Sequence, residues 1–185
     1  MIDVTIENYN LVQKALKDQP KKINMVLSRA INRAATNAKA NMSKKVREEY
    51  VVPASEVKKT IVITRATTSS PTAIVKSMGK KISLAKFKIS PTQPRPANPP
   101  AAYKVQIKKN GGLKPVERGF LANVNGNIGF FQRVGSSRMP ITRLMGPSVP
   151  QMIGNKSVIE RVENEAKKML NTRIQHELEQ VLGAK

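Results

Sequence analysis

Residues 20–50 read PKKINMVLSRAINRAATNAKANMSKKVREEY, and this stretch decides the fold of the chain. Its apolar residues recur at helical spacing, which predicts one long amphipathic helix. Asp18 and Pro20 suit the start of this helix, and Pro53 suits its end. Small residues at its centre would allow another helix or a sheet to approach closely. The apolar stripe consists of Ile23, Val26, Leu27, Ala30, Ile31, Ala34, Ala35, Ala38, Met42, Val46 and Tyr50.

Two more amphipathic helices are predicted near the ends of the chain. A short one is expected from Asn8 to Lys17. A long one is expected over residues 157–183, where Ser157 and Glu160 would form a capping box and Gly183 would stop the helix. Its stripe is Val158, Ile159, Val162, Ala166, Met169, Leu170, Ile174, Leu178, Val181 and Leu182.

Between the long helices the pattern changes to short β-branched and aromatic runs. The runs TIVITRAT and TAIVKSM, separated by SSP, predict a hairpin or two neighbouring strands. LAKFKIS (84–90) and AAYKVQIKK (101–109) are further strand candidates. GFLANV and IGFFQRV flank Asn125-Gly126-Asn127, a strong signal for a β-hairpin. The segment RMPITRLMGPSVPQMIG (138–154) has almost no regular period.

A proline-rich segment, PTQPRPANPP at residues 91–100, interrupts the strand candidates. Its prolines exclude a helix or a central strand. It is either an extended, polyproline-like arm or loop, or a disordered linker, and the sequence favours neither.

These elements predict an α+β fold in which the long N-terminal and C-terminal amphipathic helices bracket a small, mostly antiparallel β-sheet with a proline-rich arm. A single domain of residues 1–185 is expected. It would contain an N-terminal helical region (8–52), a β-rich region (60–143) and the C-terminal helix (157–183).

The charge of the chain is strongly and unevenly positive. It has 33 basic and 12 acidic residues, a formal net charge of +21. Residues 156–185 contain six bases and five acids, so the first 155 residues carry almost all of the excess. Solubility needs a net charge of only about 2 to 8 in a small domain. The excess therefore predicts either an anionic ligand or an assembly partner that offsets it, because self-repulsion otherwise opposes compaction.

Composition also indicates the cellular compartment in which the protein is made. With no cysteine, the chain has neither disulfides nor thiolate metal sites. The start, MIDVTIENYN, resembles neither a signal peptide nor a lipidation site, and the apolar runs are far shorter than the ~20 residues that span a bilayer. We expect a soluble protein that is made in a reducing cytoplasm and has no membrane partner.

Enzymatic chemistry is not indicated. The one histidine, His176, falls on the C-terminal helix beside Arg173 and Glu177, where a solvated side chain is the ordinary outcome. The acids form no paired-carboxylate site, and the glycines lack the context of a phosphate loop or a nucleophile elbow. We predict that the chain is not an enzyme and binds no cofactor or metal.

The charge instead favours binding of nucleic acid without sequence recognition. The sequence shows no turn of a helix-turn-helix, no zinc finger and no paired aromatic strands on which bases could stack. Of the adjacent Phe130 and Phe131, one is expected in the core and the other facing outward or into a partner. The outward face of the 20–50 helix carries Lys21, Lys22, Arg29, Lys39, Lys44 and Arg47. Candidate phosphate or DNA-channel contacts are Lys21, Lys22, Arg29, Lys80, Lys81, Lys86, Lys88, Lys108 and Lys109.

Much of the chain resembles the phage and prophage minor tail protein Z family. FFQRVGSSRMPITRLMGPSVPQM and the helix ending in RIQHEL carry the resemblance, and LSRAINRAATNAKANMSKKVREEY, KKTIVITRAT and GKKISLAKFKISPTQP agree with it. Residues 133–150 are its most specific part. The family motif maps onto Arg133, Gly135, Arg138, Pro140, Ile141, Leu144, Gly146, Pro147 and Pro150, which we interpret as structural or interface residues.

The resemblance implies a tail-completion protein of a long-tailed phage. Such a subunit would form a homo-oligomeric ring at the head-proximal end of the tail, around the channel for double-stranded DNA. Six subunits are expected, because six-fold symmetry would match a tail tube. Its partners would be other tail and neck proteins, and it would be assembled in the host cytoplasm into the virion.

Two alternatives stay open. One is a free, sequence-nonspecific nucleic-acid-binding protein, such as a nucleoid or ribosome-associated protein, which composition alone would favour. The other is a neck or head-completion protein, which would also form a ring but would contact the portal side.

Overall fold

The computed structural model describes residues 9–16 and 19–183 and contains both helices and strands. This confirms the α+β class. The helices are α1 (Tyr9–Ala15), α2 (Pro20–Glu49), α3 (Ala54–Lys58), α4 (Val149–Ile153) and α5 (Lys156–Gly183). The strands are β1 (Ile61–Thr64), β2 (Ile74–Ser77), β3 (Lys81–Ser83), β4 (Lys88–Ser90), β5 (Tyr103–Gln106), β6 (Lys114–Val116), β7 (Gly119–Val124), β8 (Asn127–Arg133), β9 (Ile141–Arg143) and β10 (Met145–Ser148).

Contacts within the chain group these elements into two compact units. The helical unit comprises the described residues of 1–45, 61–78 and 153–185. The sheet unit comprises residues 46–60 and 79–152. That the chain acts as a single domain, and that the long helices bracket the sheets, remain predictions.

The core of the helical unit is built on the predicted stripe of α2. Leu27 and Ala30 of α2 are buried in one cluster with Leu170 and Ile174 of α5. Val12 of α1 belongs to the same cluster. Ala30 and Ala34 of α2 therefore face a helix, one of the two neighbours that the sequence allowed. Burial of an aliphatic side chain contributes about 1.5–3 kcal/mol, so this cluster stabilises the unit.

The two ends of α2 differ in how well the sequence anticipates them. The helix begins at Pro20, as expected, since proline is favoured in the first turn. Asp18, the expected cap, lies outside the described residues, as do Asn8 and Lys17 at the ends of the predicted short helix. The other end falls one residue short of the predicted 20–50 stretch and four residues before Pro53, the expected stop. The helix ends at Glu49 because Tyr50 pairs with Lys108 as an antiparallel bridge and the Val51 amide donates to the Ile107 carbonyl at 2.8 Å.

The first predicted hairpin is present in the helical unit. Strands β1 and β2 pair antiparallel, with Ile61 opposite Ser77. A polar residue of α2 holds the chain just after β1. The Asn32 amide nitrogen donates to the Ala66 carbonyl at 2.9 Å, and the Ala66 amide donates to the Asn32 side-chain oxygen at 2.8 Å. Both backbone groups of Ala66 are thus satisfied by one side chain, a contact that periodicity does not reveal.

The predicted capping box of the C-terminal helix is also wrong. Helix α5 begins at Lys156, and its cap is Asn155, whose side-chain oxygen accepts from the Ser157 amide at 3.3 Å. An asparagine oxygen at this position satisfies an amide that the helix leaves free. Glu160 instead lies 3.9 Å from the Lys156 ammonium. The residues of the apolar stripe predicted for this helix are buried or half-buried. The exception is Leu182, which is 50% exposed.

The sheet unit contains three small antiparallel sheets. One pairs β3 with β10, the second has the order β4-β5-β6 and the third has the order β7-β8-β9. A single sheet was expected, and the 138–154 segment was expected to be aperiodic. That segment instead supplies β9, β10 and α4, so the β-rich region continues past residue 143 to residue 148. These strands are too short for the sequence to show an alternation of apolar and polar residues.

Two other local predictions have mixed outcomes. LAKFKIS is not one strand: Leu84–Lys86 is a 3-10 helix, closed by the Phe87 amide donating to the Leu84 carbonyl at 3.1 Å, and only Lys88–Ser90 forms a strand. The hairpin at Asn125 is confirmed. Asn125 and Gly126 form its two-residue turn, and both have positive φ angles (52° and 79°), as a type I′ turn requires.

The proline-rich segment is a loop that returns to its own sheet. It connects β4 to β5, which pair with Ser90 opposite Lys104. The Arg95 amide donates to the Tyr103 hydroxyl at 3.2 Å, and Tyr103 is buried. The segment is therefore anchored at both ends and once within its length, which disfavours the linker alternative.

Candidate nucleic-acid interface

The nine candidate basic residues are all exposed, but they lie in both units. The helical unit carries three of them and the sheet unit six. The first group is Lys21, Lys22 and Arg29, and the second is Lys80, Lys81, Lys86, Lys88, Lys108 and Lys109.

Three of the nine already have partners within the chain. The Arg29 guanidinium lies 3.7 Å from the Glu177 carboxylate, and the Lys86 ammonium lies 3.7 Å from the Glu56 carboxylate. The Lys108 ammonium lies 5.8 Å from the centre of the Tyr50 ring, within the range of a cation–π contact. These side chains are less available to phosphate than their exposure suggests, since an incoming anion would have to compete with the existing contact.

The sheet unit contains a recess of about 360 Å³ in which basic side chains converge. We call it the basic recess. Its cations are Arg47, Lys86, Lys88 and Lys109, and its other walls are Tyr50, Val51, Val52, Pro53 and Phe87. Three of the nine candidates thus meet here. Arg47 is the residue that the candidate set omitted, because its sequence pattern marks only an outward helix position and does not reveal its neighbours.

Glu56 borders this group of cations and is itself strongly paired. The Lys59 ammonium donates to its carboxylate at 2.6 Å, and Lys86 approaches the other oxygen. The hydrogen bond from Lys59, together with the charges of Lys59 and Lys86, holds the pKa of Glu56 below its ordinary value of 4.5. The folded chain therefore favours the ionised carboxylate.

We expect Glu56→Gln to lower the stability of the sheet unit in a pH-dependent way. Because the folded-state pKa is depressed, the ionised group stabilises the fold above pH 4.5, and this contribution is lost as the pH falls through the lower folded-state pKa. Thermal unfolding from pH 7 down to pH 3 should show a difference from wild type that shrinks with acidity. Glu117→Gln, at an exposed acid, is the control. A difference that persists unchanged at low pH would contradict the assignment.

The family motif spans β8 to α4 and connects the sheets. The Leu144 amide donates to the Phe130 carbonyl at 2.8 Å, and the Leu144 carbonyl accepts from Leu84 at 3.1 Å. A Cβ at Gly146 would lie 2.6 Å from the Phe87 ring, so close packing of β10 explains this glycine. A Cβ at Gly135 would meet no atom within 4 Å, so nothing in the structure explains that one.

The rest of the motif is largely at the surface. Every residue from 133 to 140 is exposed, including Arg133, Gly135, Arg138 and Pro140. Pro147 lies in β10, and Pro150 in the short helix α4. The interpretation of these residues as structural or interface positions remains a prediction. Within the motif, Gly146 has a packing role. The 133–140 segment, in contrast, has few contacts that would explain its composition.

The expectation that the strands carry no paired aromatic residues is wrong. Phe130 is fully buried, as the pair of adjacent phenylalanines predicted. Phe131, however, pairs across strands with Phe120, with ring centroids 6.2 Å apart. Each ring also has an arginine beside it: Arg133 over Phe120 and Arg143 over Phe131, both at 5.9 Å. The sheet β7-β8-β9 therefore does carry paired aromatics, which the sequence did not indicate because the two lie on different strands.

In residues 9–16 and 19–183, no group of three or more histidine, cysteine or acidic side chains is arranged to bind a metal. None of the helices within these residues combines the length and apolar character that crossing a bilayer requires.

The chain matches a known protein family over most of its length. A family model described as prophage minor tail protein Z (GPZ) matches residues 5–184, nearly the whole chain. This confirms the resemblance noted from the sequence. No curated protein and no solved structure gives a significant match.

Proposed function

Since the chain belongs to the prophage minor tail protein Z family, it is a phage tail structural protein, and we propose that it is the tail-completion subunit. In this role, copies of the chain form a ring around the DNA channel at the head-proximal end of the tail. The ring is needed for filled heads to join tails. The observation that carries the proposal is the family match over residues 5–184.

The exposed part of the family motif supports a role in subunit contacts. Residues 133–140 connect β8 to β9 and include Val134 and Met139, which are 66% and 64% exposed. Apolar side chains at the surface favour burial against a partner. The most specific part of the family motif therefore lies where a neighbouring subunit or another tail or neck protein could cover it.

The charge of the chain supports a position beside DNA. A channel that passes duplex DNA must attract phosphates without reading bases. The excess of +21, mostly outside the C-terminal helix, meets this requirement. Acidic neighbours in the ring would offset part of it, so only some of the basic residues need to face the lumen.

A phage in which the gene for this chain is interrupted provides the test. We expect lysates to contain DNA-filled heads and unjoined tails, and infectious particles to return when the chain is supplied from a plasmid. The purified chain, or tails that contain it, should show a ring. Light scattering should then give a mass near six times the 20.4 kDa of one chain. Joined, infectious particles in the absence of the chain would overturn the proposal.

The same experiment separates the alternatives. Basic composition is the observation that favours a free nucleic-acid-binding protein. That function predicts a monomer or dimer that binds DNA in a salt-dependent manner and normal particles without it. A neck protein predicts that labelled chain remains on heads, rather than on tails, when joining is blocked.

A further inference from the structure

We propose that the basic recess of the sheet unit is a binding site for backbone phosphates of duplex DNA. The proposal rests on the channel role proposed above and names the residues that would perform it: Arg47, Lys86, Lys88 and Lys109. The sequence placed three of these among nine dispersed candidates. The structure brings them to one concavity and adds Arg47.

Separate parts of the chain hold the four cations in place. Arg47 is in the last turn of α2, Lys86 ends a 3-10 helix, Lys88 begins β4, and Lys109 begins a second 3-10 helix. Each position is next to well-fixed backbone. Val46 and Phe87 are buried, with exposures of 0% and 6%, and the Val51 amide donates to the Ile107 carbonyl. The recess is therefore formed by the fold itself, and a ligand need not order it.

The basic side chains of the recess outnumber the carboxylates that pair with them. Arg47, Lys88 and Lys109 form no ion pair with any residue that the structure describes. Lys86 shares its carboxylate, Glu56, with Lys59. Like charges that line a concave surface repel one another, and the concavity concentrates their potential. A bound anion would relieve this repulsion.

Phosphate suits this arrangement better than a lone carboxylate. A backbone phosphate offers several acceptor oxygens, so it can engage the fork of Arg47 and the ammonium groups of two lysines together. The surroundings also favour an extended polyanion. Lys104 lies on the same exposed face as Lys88, diagonally across the β4–β5 pair, about 7–8 Å away by sheet geometry. From Lys76 to Arg118 the one acid is Glu117.

The test compares two variants of equal charge. In the recess variant, Arg47, Lys88 and Lys109 are each replaced by glutamine. In the control variant, Lys14, Lys167 and Lys168, which are exposed and lie outside the recess, are replaced by glutamine. Affinity for a fluorescent DNA duplex is measured by anisotropy over a series of salt concentrations. Circular dichroism and thermal unfolding check that both variants fold.

We expect the recess variant to bind the duplex at least about 10-fold more weakly than the control, because each phosphate contact releases counterions. The slope of log K against log salt should fall by about 2 to 3 for the loss of three contacts. A second measurement needs no variant. On the wild-type chain, bound duplex should slow acetylation of Lys88 and Lys109 more than that of Lys167 and Lys168.

Other outcomes would overturn the proposal. Equal losses in the two variants would mean that net charge alone binds DNA. Wild-type DNA binding by the recess variant, combined with lost binding of polyglutamate, would assign the recess to an acidic protein partner. If the recess variant does not fold, equal acetylation rates with and without duplex would exclude the site. These measurements use the purified chain, so a failure of tail completion in the phage would leave them unaffected.

Discussion

Replacing Phe130 with alanine is expected to destabilise the sheet unit by about 3–5 kcal/mol, the range for removal of a buried phenylalanine. Phe130 is fully buried and packs edge-on against Tyr103, with ring centroids 5.9 Å apart. Its ring also lies against Gly119, where a Cβ would overlap it. The cavity left by alanine would thus have walls from two of the three sheets, β5 of one and β7 of another, so neither sheet could close it alone.

Urea unfolding followed by tyrosine fluorescence provides the measurement, since Tyr50 and Tyr103 both lie in the sheet unit. Phe131→Ala is the matched control. It removes the same side chain from the next residue, but that side chain is half-buried beside Phe120 and Arg143. A loss of about 1 kcal/mol or less is expected there, typical of a partly exposed position. Equal losses in the two variants would contradict the assignment of Phe130 to the core.

Replacing Ile174 with alanine is expected to destabilise the helical unit by about 2–5 kcal/mol. Ile174 is 1% exposed and lies in the cluster that joins α5 to α2, with Leu27, Ala30 and Ala34. Alanines on α2 cannot extend to fill the space, because their side chains end at Cβ. The vacated volume should therefore persist as a cavity, and the cost should be in the upper part of the range.

Leu182→Ala is the matched control for Ile174→Ala. Both residues belong to the apolar stripe predicted for the C-terminal helix, but Leu182 is 50% exposed. Its removal should change stability by about 0.5 kcal/mol or less. The loss of the helical circular dichroism signal with urea measures both variants. If Leu182→Ala costs as much as Ile174→Ala, the described burial of the helix end is wrong.

The periodic parts of the chain are the parts that the sequence predicted well. The stripe of α2 is almost entirely buried, and the hairpin turn at Asn125-Gly126 has the positive φ angles its residues favour. Both predictions depend on interactions between residues close in sequence. Helical spacing places side chains on one face, and the Asn-Gly pair tolerates the left-handed conformation, whatever the rest of the chain does.

Predictions about element ends were less successful, and some of the errors involve partners that are distant in sequence. Helix α2 stops at Glu49, one residue short of the predicted 20–50 stretch and before Pro53, and the residues that follow hydrogen-bond to the chain around Ile107 and Lys108. LAKFKIS is divided by a 3-10 turn in which Phe87 donates to Leu84, while the Leu84 amide itself donates to the distant Leu144. Competing partners that are distant in sequence leave no mark on the local pattern, so a propensity argument cannot include them.

The sequence by itself determined the helical stripes, the net charge of +21 and the family motif at residues 133–150. These depend on composition and on neighbours along the chain. Only the tertiary structure decided that Arg47 joins Lys86, Lys88 and Lys109 in one recess, and that Arg29 is paired with Glu177. An electrostatic site depends on distances between charges, because Coulomb energy falls with separation. Those distances are set by the packing of the elements that carry the charges.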